Sequence, residues 1–323
     1  MTEQRRKIIA VEEHFVTPAY MEEFMPKTDG ENIIYNKLCT GGDSRIVEMD
    51  EAGITMQVLS LNSPGVEQLN QKDAVRASVE VNEYVHKLVS ENPDRFRAFM
   101  TIPTVSPEDA IVTLKKAKEM RFAGVGINGR IGDKYLDDPK FGPILEEIEA
   151  LGLPIYLHPC RPAKEVVEVY YKGAWSDFVS DSFSRNVLGW HIETAIHLLR
   201  MIFGGIFDKY PGLKVAIGHL GEGLPFFFQR IIGSLPKEKT GLDRSIGEYL
   251  NENVYYTFGG FNYNAVFNCL AEQTSIDHII FSTDYPYRSM KTAADFLDQL
   301  PLDESDKRKI AFENAQRLFY IPQ

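Results

Sequence analysis

Eight short runs of β-branched and apolar residues recur along the chain: IIAVEE (8–13), ITMQVLSL (54–61), FRAFMTI (96–102), GVGIN (124–128), PIYLH (154–158), KVAIGH (214–219), NVYYTF (253–258) and HIIFSTD (278–284). They are apolar on both faces, as strands of a parallel sheet covered by helices should be. Between them lie polar stretches whose pattern predicts helices. SPEDAIVTLKKAKEM (106–120) begins with Ser-Pro-Glu-Asp, which suits a helix N-terminus. DPKFGPILEEIEALG (138–152) ends on a glycine that suits a C-cap. HIETAIHLLRMIFGG (191–205) repeats its apolar positions near every 3.6 residues, and DESDKRKIAFENAQRLF (303–319) closes the series. Eight strands alternating with helices predict an α/β fold closed as a (β/α)8 barrel. A doubly wound open sheet is the alternative, disfavoured because no GxGxxG follows the first strand. No repeat, low-complexity tract or linker divides the sequence, so residues 1–323 read as one TIM-barrel domain. The polar excursion at 18–43 is expected to lie over the mouth of the barrel, where loops shape a pocket.

Composition narrows the function. The 323 residues are 44% hydrophobic and 25% charged, enough for a large core. No apolar run approaches the ~18 residues of a membrane span. MTEQRRKIIAVEEHF runs directly into the first strand without a signal-peptide core. A net charge of −11 without a basic stripe argues against a nucleic-acid partner. An anionic substrate would then need a metal or a dedicated arginine. The cysteines Cys39, Cys160 and Cys269 are odd in number, widely spaced and in no CxxC pattern, so a reducing cytoplasm is the expected setting.

Candidate chemistry collects at strand ends. Glu12 and His14, two residues apart at the end of the first run, are expected to point together into the barrel, with Glu13 outward. His158 ends the fifth run, His219 the sixth and Asp284 the eighth. All five fall at carboxyl ends, which in a barrel converge on one mouth. Taken singly, each is an ordinary packing or surface residue; five at one end of four strands are not. Buried carboxylates and imidazoles are costly unless paired or bound to a cation. Mixed His/carboxylate donors suit zinc, manganese or iron.

AVEEHF, VLSLNSPGV, YLDDPKFGPILEEIEALGLPIYLHP, ETAIHLLRMIFGGIFDKYPGLKVAIGHLGEGLPFFFQRI, IIFSTDYPY and ENAQRLF together resemble the amidohydrolase superfamily. The resemblance runs nearly end to end. It lies in the ACMSD-like branch of metal-dependent aromatic-acid decarboxylases, nearest the γ-resorcylate (2,6-dihydroxybenzoate) and 2,3-dihydroxybenzoate group. Hydrolytic relatives begin with His-x-His, whereas this chain reads Glu12-x-His14, similar to the decarboxylases. The resemblance implies one divalent ion, manganese or zinc, on Glu12, His14, His158 and Asp284. It further implies Asp284 as proton donor, His219 holding and tuning it, and Glu222 in the same loop as a support behind them or a proton partner. Substrate contacts would come from Arg230, whose bland reading is a surface helix residue, and from Asn128 and Asn62. Trp190 and Tyr287 could wall an aromatic ring, or simply pack. The implied partners are a small aromatic carboxylate and a second copy of the chain, as homodimer or homotetramer. The apolar GLPFFFQRIIG stretch reads either as an interface helix or as core.

The leading expectation is a non-oxidative carboxy-lyase acting on a hydroxylated aromatic acid such as a dihydroxybenzoate. The rival is a hydrolase of a lactone or cyclic amide on the same barrel, using metal-activated water. A non-catalytic binding protein is disfavoured, because it has no use for buried charges at a barrel mouth. Cys160, two residues past His158, reads as a loop residue rather than a ligand. His86, His197 and His278 read as packing or surface histidines, and Tyr255 and Tyr256 as barrel or helix-interface residues. Two residues near the expected pocket depart from the family pattern: His191, where a small or apolar residue is usual, and Cys160, where a basic or polar one is.

Overall fold

The computed structural model describes residues 6–25 and 33–321. Eight parallel strands pair in sequence order: β1 (Ile9–Phe15), β2 (Met56–Leu61), β3 (Phe96–Thr101), β4 (Gly124–Asn128), β5 (Ile155–His158), β6 (Val215–Ile217), β7 (Val254–Thr257) and β8 (Ile279–Ile280). The ring is completed by the backbone hydrogen bonds Val11 N to Phe281 O (3.0 Å) and His14 N to Tyr285 O (2.8 Å). This is the expected (β/α)8 barrel, with β6 and β8 shorter than their apolar runs. His219 and Asp284 therefore sit in the loops that follow those strands.

Two apolar layers hold the barrel. Outside, strand residues pack against the surrounding helices. Inside, Ile9, Val11, Val58, Phe99, Tyr156, Ala216 and Ile280 fill the lower lumen, and Leu318, Phe319 and Ile321 plug it. Phe99 stacks on Tyr156 at 5.2 Å and meets Phe319 edge-on at 5.2 Å. The packed floor forces polar side chains to the opposite, carboxyl end.

The helices follow the pattern with local departures. Gly152 caps its helix at φ 67°, a left-handed conformation that glycine adopts without a Cβ clash. The helix expected over 106–120 is confined to Pro107–Leu114. Beyond it the chain tightens into turns, with Phe122 N bonded to Ala117 O, to bring Ala123 into register beside β3. The 303–319 segment is interrupted by a wide turn at Lys309–Glu313, and Ile310 O there accepts from Phe281 N (3.0 Å), tying it to the barrel. The 18–43 excursion contributes helices Pro18–Phe24 and Ile33–Cys39; residues 26–32 between them lie outside the described residues. Phe24, Met25 and Tyr35 line the mouth, as expected for this segment.

Candidate metal centre and active-site cavity

Glu12 and His14 do converge on the lumen, but simple alternation is not the cause. The β1–β2 ladder pairs Val11 with Val58 and then Glu13 with Leu59, leaving Glu12 as an extra, bulged residue. Its φ of 83° turns the carboxylate inward beside the already inward Val11. Glu13 points away from the lumen as expected, yet it is fully buried rather than solvated. It accepts from Thr283 N (2.8 Å), Thr283 Oγ1 (2.6 Å) and Gln57 Nε2 (2.9 Å). Burial pushes its carboxyl up to about 8 against those hydrogen bonds. The effect is to clamp the segment leading to Asp284 onto β1.

The Glu12 carboxylate, also fully buried, accepts from Thr257 Oγ1 at 2.7 Å and lies 3.5 Å from Ser282 Oγ through Oε2. Its Oε1 has no hydrogen-bond partner and sits 3.9 Å from both His158 Nε2 and His219 Nδ1. His14 has Nδ1 3.3 Å from Ser60 Oγ and Nε2 3.2 Å from Asp284 Oδ1. The His14 and His158 rings meet edge-on at 4.7 Å. Burial, with His14 and His219 close by, holds His158 well below the usual imidazole range, which leaves one ring nitrogen with a lone pair to offer. His158 Nδ1 is also buried without a partner. Donor atoms of Glu12, His14 and His158 lie within 4.8 Å of one another. An orphaned carboxylate oxygen, an orphaned imidazole nitrogen and this spacing fit a divalent cation.

Beside this group, Glu222 joins two imidazoles. Its Oε1 lies 2.8 Å from His219 Nδ1 and its Oε2 2.5 Å from His191 Nδ1. Burial alone would lower His219, but Glu222 and Glu12 outweigh it and raise the imidazole to about 10. Burial alone would likewise raise Glu222, but His219 and His191 outweigh it and bring the carboxylate down to about 2. Site residues Glu12, His219, Glu222 and Asp284 all adopt positive φ, as does Leu220 between them. Non-glycine residues rarely do so, and such strain collects at functional sites.

His14, His158, His191, His219 and Asp284 line one cavity of about 990 Å³. Of the expected substrate contacts, Asn62, Trp190 and Tyr287 line it, and Tyr287 Oη donates to Asn62 Oδ1 at 2.9 Å. Asn128 does not line it: the residue is buried at the end of β4, beside His158 in the ladder, and its backbone N donates to Glu67 Oε1 at 3.0 Å. Arg230 is exposed on the helix Phe228–Ser234 and does not line the cavity of its own chain. The lining cations are instead Arg130, Arg161, Lys164, Lys172, Arg185 and Arg288. Arg161 and Arg185 share Asp181 (3.4 and 3.2 Å), and Lys172 pairs with Glu168 (2.8 Å). Arg130 and Arg288 were findable from sequence, two residues past β4 and four past Asp284. Phe261 had no such signal; it meets both His191 and His219 edge-on.

The bland readings fit their surroundings. His197 is fully buried and accepts from Leu136 N (3.0 Å), His86 bonds Met120 O, and His278 stacks on Tyr255. Tyr256 Oη donates to Leu250 O under the outer helices. Cys160 lines the cavity, and burial pushes its thiol up.

Carboxylates and imidazoles gathered over the carboxyl ends of an eight-stranded parallel barrel define a metal-assisted enzyme of the TIM-barrel class. The chain belongs to the amidohydrolase family, whose profile matches residues 14–321. It is 36% identical to the gamma-resorcylate decarboxylase of Polaromonas sp. (strain JS666) over 97% of this chain and 98% of that protein. Among solved structures it is similar to the 2,6-dihydroxybenzoate decarboxylase of Rhizobium, with a TM-score of 0.88, 30% identity and coverage of 98% and 99%. It is also similar to a dihydroxybenzoic acid decarboxylase from Polaromonas sp. JS666 holding manganese and 2-nitroresorcinol, with a TM-score of 0.89, 32% identity and coverage of 98% of each chain.

Proposed function

We propose that this protein is a metal-dependent, non-oxidative decarboxylase of a hydroxylated aromatic acid such as a dihydroxybenzoate. The observation that carries the reading is the bulged, buried Glu12, which sets a carboxylate oxygen with no partner beside two imidazoles. Relatives of matching length that are decarboxylases support it. Glu12, His14, His158 and Asp284 would hold manganese or zinc, which when bound would supply positive charge toward the anionic substrate. Asp284 delivers a proton to the ring carbon that bears the carboxylate. The carbon–carbon bond then breaks, its electron pair restores aromaticity, and carbon dioxide leaves. His219, anchored by Glu222, holds Asp284's surroundings cationic and orders the proton path. Trp190 and Tyr287 wall the ring, and Asn62 fixes Tyr287.

The catalytic unit is the whole chain as one domain, supported by the family match to 14–321 and by a barrel that both ends of the sequence complete. Phe226 and Phe227, 79% and 49% exposed within the GLPFFFQRIIG stretch, support a homo-oligomer. No helix among the described residues is long and apolar enough to cross a membrane, and the three cysteines are unpaired, which fits a cytoplasmic setting.

The test is to load the purified protein with manganese or zinc, offer a panel of hydroxybenzoates, and follow the ultraviolet spectrum and carbon dioxide. Release of carbon dioxide that disappears in Asp284→Asn is the expected result. Hydrolysis of lactones in a parallel panel, with every hydroxybenzoate untouched, would overturn the decarboxylase reading.

A further inference from the structure

His191 is unused by the chemistry above, yet it is buried in the wall of the cavity and touches both His219 and Glu222. Its Nδ1 lies 2.5 Å from Glu222 Oε2, while His219 Nδ1 holds the other oxygen of the same carboxylate. On its far side Nε2 lies 3.1 Å from Trp190 Nε1 and 3.2 Å from Asn186 O. A neutral ring accepts the indole hydrogen; a protonated one donates to the Asn186 carbonyl. In both states Nδ1 carries a hydrogen and gives it to Glu222.

Glu222 is almost completely buried, so each of its oxygens needs a donor. Two imidazole N–H groups, one per oxygen, fix the carboxylate plane. A fixed Glu222 in turn holds the His219 Nδ1–H and turns Nε2 the other way. Without His191 one buried oxygen is orphaned, and the carboxylate is free to rotate off His219. The same ring orients the Trp190 indole, which meets His158 edge-on at 6.3 Å.

We propose that His191 is a positioning residue for catalysis: by donating to Glu222 while holding Trp190, it couples the substrate wall to the His219 proton relay. The inference rests on the decarboxylase reading for its kinetic consequence, though not for its hydrogen bonds.

The experiment compares His191→Phe and His191→Asn with the wild type, all zinc-loaded, on a hydroxybenzoate that the wild type turns over. Asparagine places an N–H close to the imidazole Nδ1 position; phenylalanine keeps the volume and removes the donor. For His191→Phe, kcat should fall about 10- to 100-fold with KM changed much less and the metal content per chain unchanged. His191→Asn should recover most of kcat. One-dimensional proton spectra should show two downfield imidazole N–H resonances in the wild type and the loss of one in His191→Phe. An unchanged kcat in His191→Phe, or an Asn variant no better than Phe, overturns the proposal. Two metal ions per wild-type chain, one lost in His191→Phe, would overturn it too, making His191 a ligand instead. A wild type that decarboxylates nothing defeats the functional reading alone, and the spectra and metal count then decide whether His191 holds Glu222.

Discussion

Thr257 offers the sharpest test of the metal centre, because it touches Glu12 and nothing that reacts. Its hydroxyl donates to Glu12 Oε2 at 2.7 Å, and the nearest substitute, Ser282 Oγ, is 3.5 Å away. Thr257→Val keeps the shape and removes the donor. A hydrogen bond to a charged group is worth about 1.5–3 kcal/mol, so the metal-bound form, in which Glu12 must be ionised, should lose roughly that much. Each 1.4 kcal/mol is about tenfold in affinity, so once the loss of about 1 kcal/mol in the metal-free protein is subtracted, metal binding should be about 2- to 30-fold weaker. The metal-free protein should suffer less, near 1 kcal/mol for a neutral partner, because burial raises the Glu12 carboxyl and favours its protonated form. The assay is a zinc or manganese titration followed by thermal unfolding at fixed protein concentration, with metal-induced stabilisation read against free metal. Equal apparent affinities for wild type and Thr257→Val would refute the assignment of Glu12 as a metal ligand supported from β7.

Other expectations follow from the same packing. Burial raises Glu67 to about 7 from its ordinary 4.5, so the folded state keeps a proton that the unfolded chain releases; stability falls as pH rises from 4.5 through 7. Glu67→Gln should therefore gain up to about 3 kcal/mol at pH 8 and little at pH 4; equal gains in melting temperature at both pH values would count against it. Gly259 has φ 53°, and a Cβ there would stand 2.4 Å from His219 N and 2.9 Å from Glu12 Oε2. Gly259→Ala should cost about 2 kcal/mol or more and lower metal content, measured by denaturant unfolding and elemental analysis. Trp190→Ala should raise KM more than it lowers kcat, since it removes ring contact rather than a proton path; a kcat effect alone would favour the role of holding His191.

The barrel was legible because its strands are short, apolar on both faces and separated by helical stretches, and all eight formed where those runs lie. Strand ends also gave the polar cluster. What the pattern could not convey is local. The inward turn of Glu12 depends on a bulge that no periodicity marks, and β6 and β8 stop short of His219 and Asp284, both of which have left-handed backbone. Arg230 and Asn128 were placed by resemblance, and neither lines the cavity of its own chain. The cations that face the cavity, such as Arg130 and Arg288, lie just past strand ends in loops whose direction is set by tertiary contacts. His191 stood out in sequence only as a departure from the family pattern; its role emerged once Glu222 was seen between two rings.

The bulge in β1 separates the history of the scaffold from that of its chemistry. Removing the single codon for residue 12 would leave Val11 facing in, Glu13 facing out and His14 facing in, an unbroken alternation against Val58, Leu59 and Ser60. Such a chain would keep every apolar contact of the lumen floor and shed a buried carboxylate together with its strained backbone. The barrel would thus survive, and by the energetics of buried charge even benefit, while the cation lost its anionic anchor. One inserted residue is the distance between an inert barrel and a metal centre, so a deletion library across residues 10–15 would show folding and catalysis failing at different positions.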